Sequence, residues 1–218
     1  MNLAVLVPVK AFSMAKGRLS GVLTPDERQR LARWLADRVV TAASAAPVFV
    51  VCDDEEVRTW ATERGVSALW TAELGLNGAV DDGVASIAER GFEHVIVSHA
   101  DLPLPSRLLG VARPHTATFV PDPNSDGTNV MSFPLQRPRA PHSPAGAFAA
   151  AYGLGSFVRH RDAATRAGLP VEVRIDVELS LDLDTPTDLT HPLLREVLPT
   201  WLPTIPVNPF THRRTPPA

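Results

Sequence analysis

A Rossmann-like α/β fold, with a mostly parallel central sheet flanked by helices, follows from three features of this 218-residue chain. Leu3 to Val9 is a nearly unbroken apolar run, as a strand buried on both faces of a parallel sheet requires. From Met1 to about Leu102, short apolar runs alternate with longer amphipathic stretches, the pattern of βαβ units. The first strand runs directly into Lys10, Lys16 and Arg18, and open α/β sheets bind ligands beyond the carboxyl ends of their strands.

Each element has a local reason. Thr24-Pro25-Asp26-Glu27 supplies an N-cap, a proline at the first helical position and a carboxylate three residues after the cap, opening a helix through Leu31, Leu35, Val39 and Val40. Pro47 to Cys52 reads as the second strand, Asp53-Asp54 as the next cap, and Gly65 as the stop of the helix containing Trp60. Val66 to Trp70 is a weaker third strand. Gly75-Leu76-Asn77-Gly78 reads as a turn before a helix ending at Gly91, and His94 to Ser98 is the fourth strand. Prolines then crowd the chain. Ala117–Val120 and Asn129–Phe133 read as short strands around a polar turn, Asp122 to Gly127. Pro134 to Pro144 reads as an exposed loop, Ser156 to Ala167 as a helix and Val171 to Asp176 as a strand. The Asp182-Leu183-Asp184-Thr185-Pro186 turn is expected to start a last helix. Residues 1–198 form one domain on this reading, and the proline-rich segment 199–218 an extended tail. There are no internal repeats.

Composition narrows the function. A formal net charge of -3 argues against a general binder of nucleic acid or membrane surfaces, which selects a strongly basic face. A single cysteine, Cys52, excludes an intrachain disulfide and a clustered cysteine metal site, and fits a reducing cytoplasm. No run reaches the length of a membrane-spanning helix, and the chain opens on a core strand where a signal peptide would have a basic region, so a cytoplasmic protein is expected.

The candidate site residues are few. Lys10, Lys16 and Arg18 suit a polyphosphate, or else belong to a solvated loop. Asp101 stands at the end of a central strand and can hold a magnesium ion, or else caps the following turn; Asp184 is a candidate second ligand, and Asp182-x-Asp184 could equally be a helix cap with Thr185 and Pro186. Asn77 has an amide able to read a purine edge, or is a left-handed turn residue. Asp126 to Asn129 and the helix opening at Gly153 to Ser156 offer donors to an anion, or ordinary capping. Arg159, His160 and Arg161 read as a solvated face. Cys52, beside two aspartates, reads as a small buried residue with a raised pKa. His99 has no Ser or Cys partner at a recognisable spacing, so a hydrolytic triad is not supported.

Taken in order, Lys10 to Leu19, Gly75-Leu76-Asn77, Ala100-Asp101-Leu102-Pro103, Asp126 to Asn129, Tyr152-Gly153-x-Gly155-Ser156 with Arg159-His160, and Asp182 to Pro186 resemble the guanylyltransferase family of coenzyme F420 biosynthesis, over Met1 to about Leu189. The resemblance implies a nucleotide-diphospho-sugar transferase type of fold, similar to the molybdenum-cofactor nucleotidyltransferases. It implies that GTP and a three-carbon phosphorylated acid, phosphoenolpyruvate or 2-phospho-L-lactate, give a guanylylated acid and pyrophosphate. By the same resemblance Thr128, Gly153 and Ser156 hold the acid, and Asp101 and Asp184 bind the metal, Mg2+. Lys10, Lys16 and Arg18 are then expected to hold the departing pyrophosphate, and Asn77 with Lys16 the nucleotide. A homodimer and hand-over of product to the next enzyme are further expectations, with no nucleic-acid or membrane partner. The alternatives are a nucleotidyltransferase acting on molybdopterin or a sugar phosphate, a glycosyltransferase using Asp182-x-Asp184, and a non-catalytic nucleotide-binding module.

Overall fold

A computed structural model of the chain describes residues 1–71, 74–136 and 146–203. Seven strands, β1 (Leu3–Pro8), β2 (Val48–Cys52), β3 (Ser67–Trp70), β4 (His94–Ser98), β5 (Ala117–Pro121), β6 (Thr128–Pro134) and β7 (Val171–Val173), form one sheet in the order β3-β2-β1-β4-β6-β5-β7. β1 pairs in parallel with β2 and β4, β2 with β3, and β5 with β7, while β6 runs against both its neighbours. The expected mostly parallel sheet is thus present, with one reversed strand.

Four helices, α1 (Pro25–Ala42), α2 (Glu55–Glu63), α3 (Gly75–Glu89) and α4 (Ser156–Arg166), cover the two faces. Strand alternation decides which face each side chain joins. Val5 and Val7 pack with Val39, Val57 and Trp60 under α1 and α2, whereas Ala4 and Leu6 pack with Val80, Val84, Ile87 and Phe157 under α3 and α4. Leu31, Leu35 and Val39 are fully buried at helical spacing, each contributing roughly 1.5–3 kcal/mol of hydrophobic stabilisation. The capping box at the start of α1 forms as expected: Thr24 Oγ1 accepts from the Glu27 N–H, and the Thr24 N–H donates to Glu27 Oε2. Gly83 lets α3 lie close to the sheet, since a Cβ there would stand 2.7 Å from Val51 Cγ1 and 2.9 Å from Leu6 Cδ1.

Several expectations change. Gly75 to Gly78 is no turn before α3 but its first turn, so Asn77 is helical and the left-handed residue is Gly75, at φ 62°. The strand at Val171 stops at Val173 instead of Asp176. Asp176 folds into a turn that accepts the Glu178 and Leu179 amides and pairs with Arg174. The last helix reduces to two short 3-10 turns, Asp188–Thr190 and Pro192–Leu194. The cause is local: Asp188 Oδ2 accepts the N–H groups of Asp184 and Thr185, and Pro192 has no N–H to continue a helix. The body of the fold also runs past Pro199, because Leu198, Trp201 and Leu202 pack on the leucine cluster described next. Most of the predicted loop (137–145) and the end of the tail (204–218) lie outside the described residues.

That cluster, Leu19, Leu23, Leu31, Leu35, Leu181, Leu183, Leu189 and Leu194, has a consequence for the site. It fastens the loop after β1 to the segment around residue 183, two stretches far apart in the chain. No helix among the described residues is long and apolar enough to cross a membrane.

Candidate active site at the carboxyl edge of the sheet

β2 and β4 lie on opposite sides of β1, so the connections leaving β1 and β4 diverge and open a crevice at the carboxyl ends of the strands. The crevice there is a cavity of about 400 Å³ whose lining includes Lys10, Lys16, Arg18, His99, Asp101 and Asp184. A neighbouring cavity of about 290 Å³ shares Lys10 and Leu76 and extends to Asp53 and Thr71.

The charged centre of the crevice is a lysine between two carboxylates. Lys16 Nζ lies 2.9 Å from Asp101 Oδ2 and 2.9 Å from Asp184 Oδ1, with its side chain only 6% exposed. The Lys16 backbone is left-handed, at φ 56°, an uncommon conformation for a lysine that here precedes the short 3-10 turn Gly17–Leu19. Two structural facts bring Asp184 within reach of Asp101. The Leu183 N–H donates to the Asp101 carbonyl, and Leu181 and Leu183 point into the leucine cluster, which leaves Asp182 and Asp184 on the opposite face. Oxygens of Asp101, Asp182 and Asp184 accordingly lie within 4.8 Å of one another.

Electrostatics follow from burial and proximity. Burial by itself would lower the pKa of Lys16, but Asp101 and Asp184 outweigh it and hold the ammonium above the ordinary lysine value. Burial would raise Asp101, yet Lys16 and then His99 keep it ionised below the usual aspartate value. Asp182 is pushed up to about 6, first by burial and then by the charges of Asp101 and Asp184. Asp101 Oδ1 is buried and has no hydrogen-bond partner among the described residues, as has His99 Nε2. Three carboxylates converging on one point, one oxygen buried and unpartnered, form a donor set suited to a hard divalent cation. Arg18 is mostly exposed, 3.6 Å from Asp184 Oδ2, and Lys10 is exposed on the cavity wall.

The residues expected to hold the acid form a second cluster along the same edge, where β6 begins beside the end of β4. Ser98 pairs with Val130, and the His99 N–H donates to the Asn129 carbonyl. Thr128 and Ser156 are buried, with Ser156 Oγ 3.5 Å from Thr128 Oγ1 and Thr128 Oγ1 3.0 Å from His160 Nδ1. Gly153 takes φ 115°, a conformation open to glycine. The Tyr152 ring bridges the clusters, its centroid 5.2 Å from that of His99 and 4.9 Å from that of His160.

Some sequence readings are corrected here. Three amides at the N-terminus of α4 are already taken: Gly155 N–H donates to Asp126 Oδ1, Phe157 N–H to the Asp126 carbonyl and Ser156 N–H to the Gly153 carbonyl. Asn77 holds backbone, not solvent: its Oδ1 accepts from the Tyr152 N–H at 2.7 Å and its Nδ2 donates to the Tyr152 carbonyl at 3.3 Å. Within Arg159-His160-Arg161, His160 is buried and departs from the solvated face, whereas Arg159 is exposed while donating to the Ala151 carbonyl and Arg161 is partly exposed. Cys52 is buried with its pKa raised, by burial first and then by Asp53 and Asp54, as expected. Sequence reasoning passed over Asp182 as a cap. The signal was present in Leu181-Asp182-Leu183-Asp184, whose period of two puts both carboxylates on one face.

Known proteins resemble this chain over most of its length. Residues 3–196 match the family model described as guanylyl transferase CofC like. A phosphoenolpyruvate guanylyltransferase of Sphaerobacter thermophilus is 35% identical over 199 residues, covering 87% of this chain and 91% of that protein. A 2-phospho-L-lactate guanylyltransferase of Methanothermobacter thermautotrophicus is 32% identical, covering 89% of this chain and 85% of that one. Among solved structures, a protein of Desulfovibrio desulfuricans described as a nucleotide-diphospho-sugar transferase superposes with a TM-score of 0.67 at 17% identity, covering 89% of this chain and 88% of that chain. That likeness shows the fold. With the family match spanning nearly the whole described body, this chain is a nucleotidyltransferase belonging to the CofC-like guanylyl transferase family.

Proposed function

We propose that the chain transfers GMP from GTP to the phosphate of a three-carbon acid, phosphoenolpyruvate or 2-phospho-L-lactate, as a step of coenzyme F420 biosynthesis in the cytoplasm. A phosphate oxygen of the acid attacks the α-phosphorus of GTP, and the bond from that phosphorus to the bridging oxygen breaks as pyrophosphate leaves. A phosphate dianion needs no general base, so the protein's work is positioning and charge neutralisation. Asp101 and Asp184 are the residues that would hold Mg2+, which supplies charge neutralisation for the reacting phosphates when bound. Lys16 balances the same two carboxylates, and with Lys10 and Arg18 it forms the cationic wall that faces the departing pyrophosphate. Asp182, pushed up to about 6, is still mostly ionised at pH 7 and adds to the negative charge that a cation would offset. The product is an activated phosphoanhydride, and direct hand-over to the next enzyme would protect it from water.

One observation carries this reading: Asp101 and Asp184, from distant parts of the chain, meet on a single ammonium at the mouth of the β1–β4 crevice. The test is mass spectrometry of the products formed from GTP and magnesium with phosphoenolpyruvate, 2-phospho-L-lactate or 3-phosphoglycerate offered separately. A guanylylated acid and stoichiometric pyrophosphate are expected with one of the first two. GTP bound without any pyrophosphate release would overturn the reading, and a preference for CTP or ATP in a parallel panel would transfer it to another nucleotidyltransferase class.

A further inference from the structure

The dipeptide Ala151-Tyr152, directly before Gly153, has all four of its backbone polar groups taken by side chains. Ala151 N–H donates to His160 Nε2 at 2.8 Å, and the Ala151 carbonyl accepts from Arg159 Nη2 at 2.8 Å and Nε at 3.1 Å. Tyr152 N–H and carbonyl are held by the two ends of the Asn77 amide at 2.7 and 3.3 Å. Two helices packed on the same face of the sheet, α3 and α4, thus grip one short piece of loop.

The direction of these bonds fixes the state of His160. A backbone N–H can only donate, so Nε2 carries the lone pair and the proton of the neutral ring sits on Nδ1, where it donates to Thr128 Oγ1. Burial first, then Arg159 and His99, push His160 down to about 4, so the ring stays neutral near pH 7. One imidazole therefore ties Thr128, at the start of β6, to the loop that presents Gly153.

We propose that Asn77 and His160 are positioning residues for the phosphorylated acid, locking Ala151-Tyr152 so that Gly153 and Thr128 stand ready before the acid arrives. This rests on the reading of Thr128, Gly153 and Ser156 as the acid-binding residues, and it reassigns Asn77 from nucleotide contact to loop clamp. A clamp of this kind acts by removing the ordering cost of binding. It also acts on one substrate only.

The test separates the two substrates. His160→Phe keeps a ring but removes the acceptor for Ala151 N–H, and Asn77→Ala removes both bonds to Tyr152. Each should raise the KM for the acid by about tenfold, the worth of one or two net hydrogen bonds, while the KM for GTP moves by less than about twofold. His160→Gln, whose amide oxygen can reach the Ala151 N–H, should recover most of the acid KM, and it serves as the working variant if His160→Phe does not fold. Independently of turnover, hydrogen exchange in the ligand-free protein should show the Ala151 and Tyr152 amides protected in the wild type, with Tyr152 exchanging at least about tenfold faster in Asn77→Ala and Ala151 in His160→Phe. An unchanged acid KM in these variants, or an equal rise for GTP and acid, overturns the proposal. Fast exchange at both amides in the wild type overturns it as well, even if the chain makes the guanylylated acid. Absence of that product from the wild type would instead bring down the functional reading, with the exchange result still deciding whether the clamp exists.

Discussion

Two polar clusters share the carboxyl edge of the sheet, and they are built on opposite principles. Around Lys16 the groups are charged and incompletely satisfied: two carboxylates meet one ammonium, Asp182 is strained towards its neutral form, and Asp101 Oδ1 is buried without a partner. Around His160 the bonds instead close on backbone, from Asn77 through Tyr152 and Ala151 to Arg159, His160 and Thr128, with no carboxylate among them, although the Tyr152 hydroxyl is buried without a partner among the described residues. A buried polar atom left unpaired costs about 1–3 kcal/mol, so a cation that reached Asp101 Oδ1 from the crevice would recover that cost. On the function proposed above, the metal and the nucleotide's phosphates would meet the first cluster, and the second would frame the residues that hold the acid.

The difference can be broken most severely at Asp101. Asp101→Asn keeps the volume but removes the charge opposite Lys16, and kcat for pyrophosphate release should fall by roughly a hundredfold or more, the scale of one preorganised electrostatic contact. Near-normal turnover would mean that the charged cluster is a structural ion pair only.

The frame around His160, by contrast, should be vulnerable to acid. His94 and His160 are buried and both are pushed down to about 4 from 6.5, with burial the first cause in each. The unfolded chain binds protons at these groups before the folded chain does, so their contribution to stability is full above about pH 6.5 and declines as pH falls towards 4. Urea denaturation at pH 7 and pH 4.5 should differ by a few kcal/mol. His94→Gln should remove part of that difference, because Ser132 Oγ, 2.7 Å from His94 Nε2, would then meet a group that does not titrate.

Lys16 sharpens the comparison from the charged side. Its ammonium bonds an oxygen of each carboxylate proposed to hold the metal, so Lys16→Met should bind Mn2+ in the absence of GTP about tenfold more tightly than the wild type, read by calorimetry or electron paramagnetic resonance. The same variant should lose turnover. Weaker metal binding in it would show that Lys16 organises the carboxylates instead of competing for them. The smallest effect is expected at Arg18, which is largely exposed and 3.6 Å from Asp184. Arg18→Ala should raise the KM for GTP by about two- to threefold at low salt, and by less as ionic strength rises.

Much of this was legible before the coordinates. β1 is apolar at every core position, the capping box of α1 announces itself as Thr24-Pro25-Asp26-Glu27, and Asp101 and Asp184 stand out as carboxylates after an apolar strand and in a proline turn. The errors share a cause. Asn77 looked available because asparagine beside two glycines suits a turn, but packing α3 against the sheet made Gly75 to Gly78 helical and turned the amide towards Tyr152. The opening of α4 looked wholly free, but the β5–β6 turn brings Asp126 against two of its amides. The predicted last helix failed because Asp188 reached back to the Asp184 and Thr185 amides.

The order of residues alone set what depends on near neighbours: strand and helix periods, caps, the cationic loop, and the carboxylates able to serve a phosphate-handling site. Folding in three dimensions decided which of those groups would face each other. Asp184 reaches Asp101 because a leucine cluster draws Leu19 and Leu183 together, and His160 becomes a fixed neutral strut because a distant backbone N–H chose its lone pair. Periodicity is a local property that any short window displays, whereas the partner of a buried polar group is set by which segments the hydrophobic core brings side by side.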